Sequence, residues 1–326
     1  MLYEEVLDTI KKYNLISKND KIVLAVSGGP DSIAMLHIFI SLRKEYNLSL
    51  YVAHVNHLIR ENAKLDEEFV KEFCKRNNIL CFIKKVDVLK KANEDKIGTE
   101  EEGRKVRYEF FDEILKETNS NKIAIAHNKN DSAETVILNI VRGSGTAGLI
   151  GIEPKNGKYI RPLIKSERAK IEKYCNINNL NPRIDESNNE NIYNRNKIRN
   201  IIIPYIKEKL NPNIINTIDR LSDIVKEEED YINNIISNIY QEILIEEKLN
   251  YIKLNRRIFN SKELLIKKKL VFYITNKLMG TTKGLEKINV DNIVELCNNN
   301  IGNKYLIPYK GLKISLKSKQ LYFEKD

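Results

Sequence analysis

The sequence predicts an α/β fold, a doubly wound parallel sheet in a first domain followed by a smaller, mainly helical domain. Short apolar runs alternate with amphipathic helical patterns as far as Pro212, the order that yields parallel strands joined by helical crossovers. The first run, Ile22-Val23-Leu24-Ala25-Val26, is apolar throughout and breaks directly into Ser27-Gly28-Gly29. A strand buried on both faces reads this way before a tight turn. After Asn211-Pro212-Asn213 the alternation gives way to longer helical periods, and the break places the domains at 1–212 and 213–326.

Each element follows from its local pattern. Residues 32–46 carry a helical period after the first strand, and a second strand is expected over 48–55. A helix over 66–76, a strand over 80–88 and a helix over 99–118 come next. A fourth strand over 122–126 leads into a helix over 131–141. Ligands bind beyond the carboxyl ends of strands in such sheets, so chemistry is expected in the segments that follow them. In the second domain, 214–249 and 261–279 read as helices and 304–323 as short strands around Gly311.

The chain has 326 residues, 42% of them hydrophobic and 31% charged, the balance of a soluble globular protein. Its many asparagines, lysines and isoleucines read as a compositional bias without mechanistic content. No apolar run is long enough to span a bilayer, and the N-terminal segment is amphipathic rather than a signal sequence. A cytoplasmic protein without a membrane partner is expected. The four cysteines are scattered and form no C-x-x-C pair, so neither a zinc site nor a disulfide framework is indicated. A net charge of +10 suits a polyanionic partner. Two segments concentrate it: Arg195, Lys197, Arg199, Lys207 and Lys209, and a second from Lys253 to Lys269 that includes Arg256 and Arg257. A solvated helix face is the alternative for each. The sequence leaves the oligomeric state open, a homodimer included.

The sharpest chemical signal is Ser27-Gly28-Gly29-Pro30-Asp31-Ser32. Glycines let a backbone approach an anion closely, and the following helix adds the positive end of its dipole. The segment has no G-x-x-x-x-G-K-[ST] pattern and offers no lysine to β- and γ-phosphates. Asp31 would repel phosphate unless a divalent cation stood between them. Further along, Asp131 and Glu134 lie three apart on one helix face, able to hold an ammonium. The competing reading makes Asn130 or Asp131 a helix cap with Glu134 completing a capping box. His127 alone would more often be structural. Arg142 with Gly143, Gly145 and Gly148 forms either an anion-facing loop or a helix end and turn. Arg104 could pair with Glu101 at helical spacing.

The S-G-G-P-D-S segment after an apolar first strand resembles the pyrophosphate loop of the ATP pyrophosphatases, which split ATP between its α- and β-phosphates. Further blocks narrow the likeness: Ala53-His54-Val55-Asn56-His57 followed by Arg60, then Glu101, Gly103, Arg104, Arg107 and Tyr108. Next come Ala126-His127-Asn128 with Asp131 and Glu134-Thr135, then Arg142 to Leu149. Ile160-Arg161-Pro162-Leu163, Arg168, Asp185-Glu186-Ser187-Asn188, Tyr193, Arg195-Asn196 and Arg199 complete the set. In this order they resemble the tRNA(Ile)-lysidine synthetase family. The resemblance implies that a cytidine C2 oxygen in the CAU anticodon of tRNA(Ile) attacks the α-phosphate of ATP. The L-lysine ε-amine then expels AMP. It further implies that Ser27, Gly28, Gly29, Pro30, Asp31 and Ser32 hold pyrophosphate, with Asp31 on Mg2+. Ala53, His54 and Val55 would flank adenine, and Arg107 would meet phosphates. Asp131 and Glu134 would bind lysine, one of them or His127 taking its proton. Arg142, Arg195, Asn196, Arg199, Arg256 and Arg257 would contact tRNA.

Two other classes compete. A tRNA thiolase shares such a loop, but its usual C-x-x-C cysteines have no counterpart here. A nucleotide-gated RNA-binding protein would bind ATP without turnover. Many members of the resembled family continue into a further C-terminal domain that grips the acceptor stem; this chain stops soon after Phe323, as expected either of a shorter type or of a truncated piece.

Overall fold

A computed structural model describes residues 1–58, 63–183, 194–299 and 304–325. Arg60, the 185–188 motif and Tyr193 lie outside the described residues. Two compact units are present, Met1–Val225 and Lys226–Asp326.

The first unit is organised by one sheet. Its strands are β1 (Lys21–Ala25), β2 (Ser49–Asn56), β3 (Leu80–Lys85), β4 (Lys122–Ile125), β5 (Lys155–Asn156) and β6 (Tyr159–Ile160). They lie in the order β3-β2-β1-β4-β6-β5, parallel throughout except for the β5–β6 hairpin. The helices are α1 (Leu2–Lys12), α2 (Pro30–Leu42), α3 (Ala63–Arg76), α4 (Val88–Asp95), α5 (Thr99–Glu117), α6 (Lys129–Val141) and α7 (Arg168–Ile177). Short helices α8 (Asn194–Lys197) and α9 (Ile203–Lys209) flank a π-helical turn, Ile198–Ile202. The unbroken apolar run of β1 has the predicted cause. Ile22 and Leu24 pack into a core shared with Ile33, Leu36 and Phe39 of α2, whereas Val23 faces Phe110, Phe111 and Ile114 of α5. Sheet order reverses at β1, so the carboxyl ends of β1, β2 and β4 open a crevice between them.

The expected strand over 80–88 is shorter. It ends at Lys85, and Asp87 caps a helix not foreseen, its side chain accepting from the Lys90 amide at 3.0 Å. Val86 and Val88 extend a strand-like alternation, but the cap wins. The α7 helix and the edge hairpin were likewise not anticipated.

Asparagine has a structural purpose that composition concealed. Asn14, Asn47, Asn78, Asn119 and Asn179 all adopt positive φ, each just beyond a helix or its terminal turn. Paired amide-to-carbonyl bonds close the ends: Leu15 N donates to Ile10 O at 3.0 Å, Ile79 N to Cys74 O at 3.0 Å, and Leu180 N to Cys175 O at 3.0 Å. These are left-handed helix ends in which asparagine stands where glycine is usual. The next residue is apolar and buried in four cases, Leu15, Leu48, Ile79 and Leu180.

The helix α10 (Ile214–Ile243) begins just after Pro212, and the two units divide inside it. The second unit holds α11 (Arg256–Asn260), α12 (Leu264–Met279) and α13 (Lys287–Asn298). Its strands are β7 (Leu244–Glu247), β8 (Tyr251–Leu254), β9 (Tyr305–Tyr309), β10 (Leu312–Lys317) and β11 (Gln320–Lys325), forming an antiparallel sheet in the order β7-β8-β11-β10-β9. This sheet is larger than the short C-terminal strands expected, because residues read as the end of a long helix form β7. Tyr240, Phe259, Leu270, Ile293 and Phe323 share its core.

Candidate active site

A cavity of about 460 Å³ lies at the carboxyl ends of β1, β2 and β4. Ser27, Gly29, Pro30, Asp31 and Ser32 form one wall, with Ala53, His54 and Val55 beside them. Arg107, His127 and Asp131 line it as well. The structure therefore brings together most of the residues expected at the nucleotide and lysine sites.

The loop is braced from within. Ser32 Oγ accepts from the amides of Ser27 (3.2 Å) and Gly28 (3.1 Å) and donates to Gly29 O at 3.0 Å. Gly28 has φ +96°, a conformation that costs a side-chain-bearing residue 1–2 kcal/mol or so. With two amides turned onto Ser32, the first turn of α2 supplies the donors left for an anion, the amides of Asp31 and Ser32. Pro30 at its start has none to waste.

Asp31 is a perturbed acid. Burial, with the charge of Asp131 added, raises it to about 6, against a hydrogen bond from Asn128 Nδ2 at 3.0 Å that favours its charged form. Among the described residues no group of three or more His, Cys, Asp or Glu could chelate a metal unaided.

The capping expectation is partly right and displaced. Asn128 is the cap of α6. Its Oδ1 accepts from the Asp131 amide at 2.9 Å while Asp131 Oδ2 accepts from the Asn128 amide at 3.0 Å. Glu134 takes no part in the cap. Asp131 thus has one oxygen in the cap and the other, Oδ1, facing Arg199 at 3.0 Å, Arg168 at 3.3 Å and Arg195 at 3.4 Å. Glu134 is 1% exposed and accepts from Arg195 Nε (2.9 Å), Arg199 Nε (2.7 Å) and Arg199 Nη2 (2.8 Å). The two carboxylates share a face as predicted, but three guanidinium groups already occupy it. Arg195 and Arg199, expected on tRNA, belong to this cluster. Asn196 lies between them on α8 and also has interactions of its own.

Other expected residues stand apart. Arg142 is exposed at the end of α6, before Gly143 with φ +75°, and does not line the cavity. Arg256, in the second unit, donates from Nε to Cys297 O at 2.8 Å and from Nη2 to Asn299 O, closing the end of α13. Arg257 is exposed. Arg104 lies over the Tyr108 ring at 4.7 Å rather than against Glu101. Sequence reasoning assigned no site role to Arg161, Arg168, Arg183 or Asn128. Arg161 and Arg168 stood in the quoted blocks. Arg183, whose amide donates to Gly28 O at 3.0 Å, carried no local signal. The cavity lining counts five arginines against three aspartates, a balance suited to a polyphosphate.

A parallel sheet ending in an amide-bearing loop and an arginine-rich cleft defines a nucleotide-handling α/β protein. The family described as PP-loop domain matches residues 2–206. The tRNA(Ile)-lysidine synthase of Caldanaerobacter subterraneus subsp. tengcongensis is 44% identical over 310 residues, 95% of this chain and 66% of that protein. The tRNA(Ile)-lysidine synthase of Clostridium acetobutylicum is 43% identical over 312 residues, 94% of this chain and 67% of that protein. The chain belongs to the tRNA(Ile)-lysidine synthase family within the PP-loop proteins, and spans about two thirds of the length of these relatives. Among solved structures, the U34-tRNA thiolase NcsA from Methanococcus maripaludis, described with its [4Fe-4S] cluster, aligns with a TM-score of 0.56. It is 21% identical, with 68% of this chain and 78% of that one covered. That likeness speaks for the fold alone. No described helix is long and apolar enough to cross a membrane.

Proposed function

We propose that this chain ligates lysine to C2 of the wobble cytidine of tRNA(Ile) with a CAU anticodon, releasing AMP and pyrophosphate. The observation that carries the reading is the braced loop beside an acid pair and an arginine-rich wall, in a chain of this family. ATP binds with its β- and γ-phosphates at the Ser27–Ser32 loop and the start of α2, and adenine beside Ala53 to Val55. Arg104 and Arg107 face the phosphates and offset charge as the cytidine C2 oxygen attacks and pyrophosphate leaves. Asp31 is the residue that would hold a Mg2+ ion, which takes one or two carboxylates from a protein and otherwise keeps waters. Held by Asn128 and strained by Asp131, its carboxylate gains from a nearby cation. The ion supplies charge neutralisation on the phosphates.

Lysine is the second nucleophile. Its ammonium reaches Asp131 and Glu134 by exchanging with a guanidinium of Arg168, Arg195 or Arg199, and tRNA phosphates are a natural acceptor for the arginine released. Mass analysis of tRNA(Ile) after incubation with ATP, lysine and the protein tests the reading, with labelled ATP followed in parallel. Lysidine with AMP and pyrophosphate is the expected result. ADP as the tRNA-dependent product, or a thiolated base, would replace this function with another.

A further inference from the structure

We infer that Arg161 is a positioning residue that locks His127 as a neutral imidazole with its hydrogen on Nε2, so that His127 serves as a hydrogen-bond donor to a phosphoryl oxygen and not as the base for lysine. The inference rests on the proposed use of the cavity for ATP. It concerns a proton that the family likeness leaves unplaced.

Arg161 Nε donates to His127 Nδ1 at 3.2 Å. A guanidinium has donors and no acceptor, so the lone pair must sit on Nδ1 and the ring hydrogen on Nε2. The arginine itself has little freedom. It is 7% exposed, its Nη1 donates to Glu153 O at 2.8 Å, and its amide donates to Pro154 O at 2.8 Å. His127 lies two residues past the end of β4 and one before the Asn128 cap, which holds Asp31, and it lines the cavity.

The surroundings favour the neutral ring. Burial depresses the proton affinity most, and Arg161, Arg195, Arg104 and Arg107 depress it further, to about 3. A ring with Nδ1 occupied and such weak basicity cannot accept a proton from an ammonium whose ordinary pKa is ~10.4. It can donate one hydrogen bond at every pH at which the protein is folded.

Nuclear magnetic resonance on the full chain labelled with 15N-histidine tests the assignment. There are four histidines, and His127→Gln identifies the resonances of the fourth by their loss. The expected pattern for His127 is a neutral ring protonated at Nε2 that does not titrate between pH 5 and 8, reference imidazole having a pKa of ~6.5. Arg161→Met should mix the tautomers while the ring stays neutral, burial being the larger cause, whereas Arg161→Lys, which also can only donate, should keep the tautomer. In lysine incorporation, His127→Ala should lose roughly 10²–10³-fold in kcat, and His127→Gln, which retains an amide donor, should lose less. A wild-type ring protonated at Nδ1, or charged at pH 7, overturns the inference, as does a folded Arg161→Met protein with an unaltered tautomer. Should Arg161→Met fail to fold, the wild-type and Arg161→Lys spectra still decide it. Absence of lysidine formation by the wild type would instead remove the proposed function and leave the spectra to be judged alone.

Discussion

At the residue scale, the site is held in a state that its ligands would relieve. Asp31 has a folded-state pKa of about 6 against an ordinary 3.8. The folded protein therefore binds this proton more tightly than the unfolded chain, and stability falls as pH rises from 3.8 to 6. Asp31→Asn should accordingly be more stable than wild type above pH 6, by an order of 1–3 kcal/mol, with the difference vanishing near pH 4. Urea denaturation of both proteins across that range measures it, and an Asn variant less stable at pH 7 contradicts the burial argument. The same variant should lose turnover. Glu134→Gln behaves oppositely. It removes a buried charge from Arg195 and Arg199, which remain partly solvated, so a loss of about 1–3 kcal/mol is expected together with a raised KM for lysine. A rise in KM at constant melting temperature would mean that the arginines are not held by this carboxylate. The placement of Ser27 and Gly29 to Ser32 at the cavity wall was legible because the motif is contiguous. The arginine cluster was not, because Arg168, Arg195 and Arg199 are drawn onto Asp131 and Glu134 from far along the chain.

At the element scale, legibility followed periodicity. The β1 strand was readable because a strand buried on both faces has an unbroken apolar run, and most crossover helices were readable from their helical period. The α4 helix was hidden by Val86 and Val88, which continue the alternation of β3 past its end, and only the Asp87 cap breaks it. The β7 strand was hidden because Leu-Ile-Glu-Glu continues the amphipathic run of α10 without a glycine or proline to stop it. Within α11 the two adjacent arginines divide their labour. Arg256 closes α13 through Cys297 and Asn299 carbonyls, while Arg257 is exposed. If this face meets tRNA, Arg257→Ala should flatten the log–log salt dependence of tRNA affinity by at most about one unit. Arg256→Ala should instead lower the melting temperature and leave the slope unchanged. Filter binding over a salt series and a thermal melt separate them, and equal slope changes in both variants would refute the division.

At the scale of the whole molecule, a net charge of +10 predicts tRNA binding that weakens steeply with salt, while ATP binding, with fewer phosphates to neutralise, responds less. Titrations at two ionic strengths test this, and parallel losses for both ligands would place the tRNA contacts elsewhere than on phosphates. The helix ends bear on a different property of the whole, its thermal headroom. Asn14, Asn47, Asn78, Asn119 and Asn179 each put a side-chain-bearing residue where backbone handedness penalises one. None of the five lines the cavity. Replacing them by glycine removes that penalty but adds freedom to the unfolded chain, for a net gain of a few tenths of a kcal/mol each. Sites without shared partners add, so the fivefold variant should melt a few degrees higher with its catalysis intact. The first unit thus carries an unused reserve of stability at its helix ends, in positions where change does not touch chemistry.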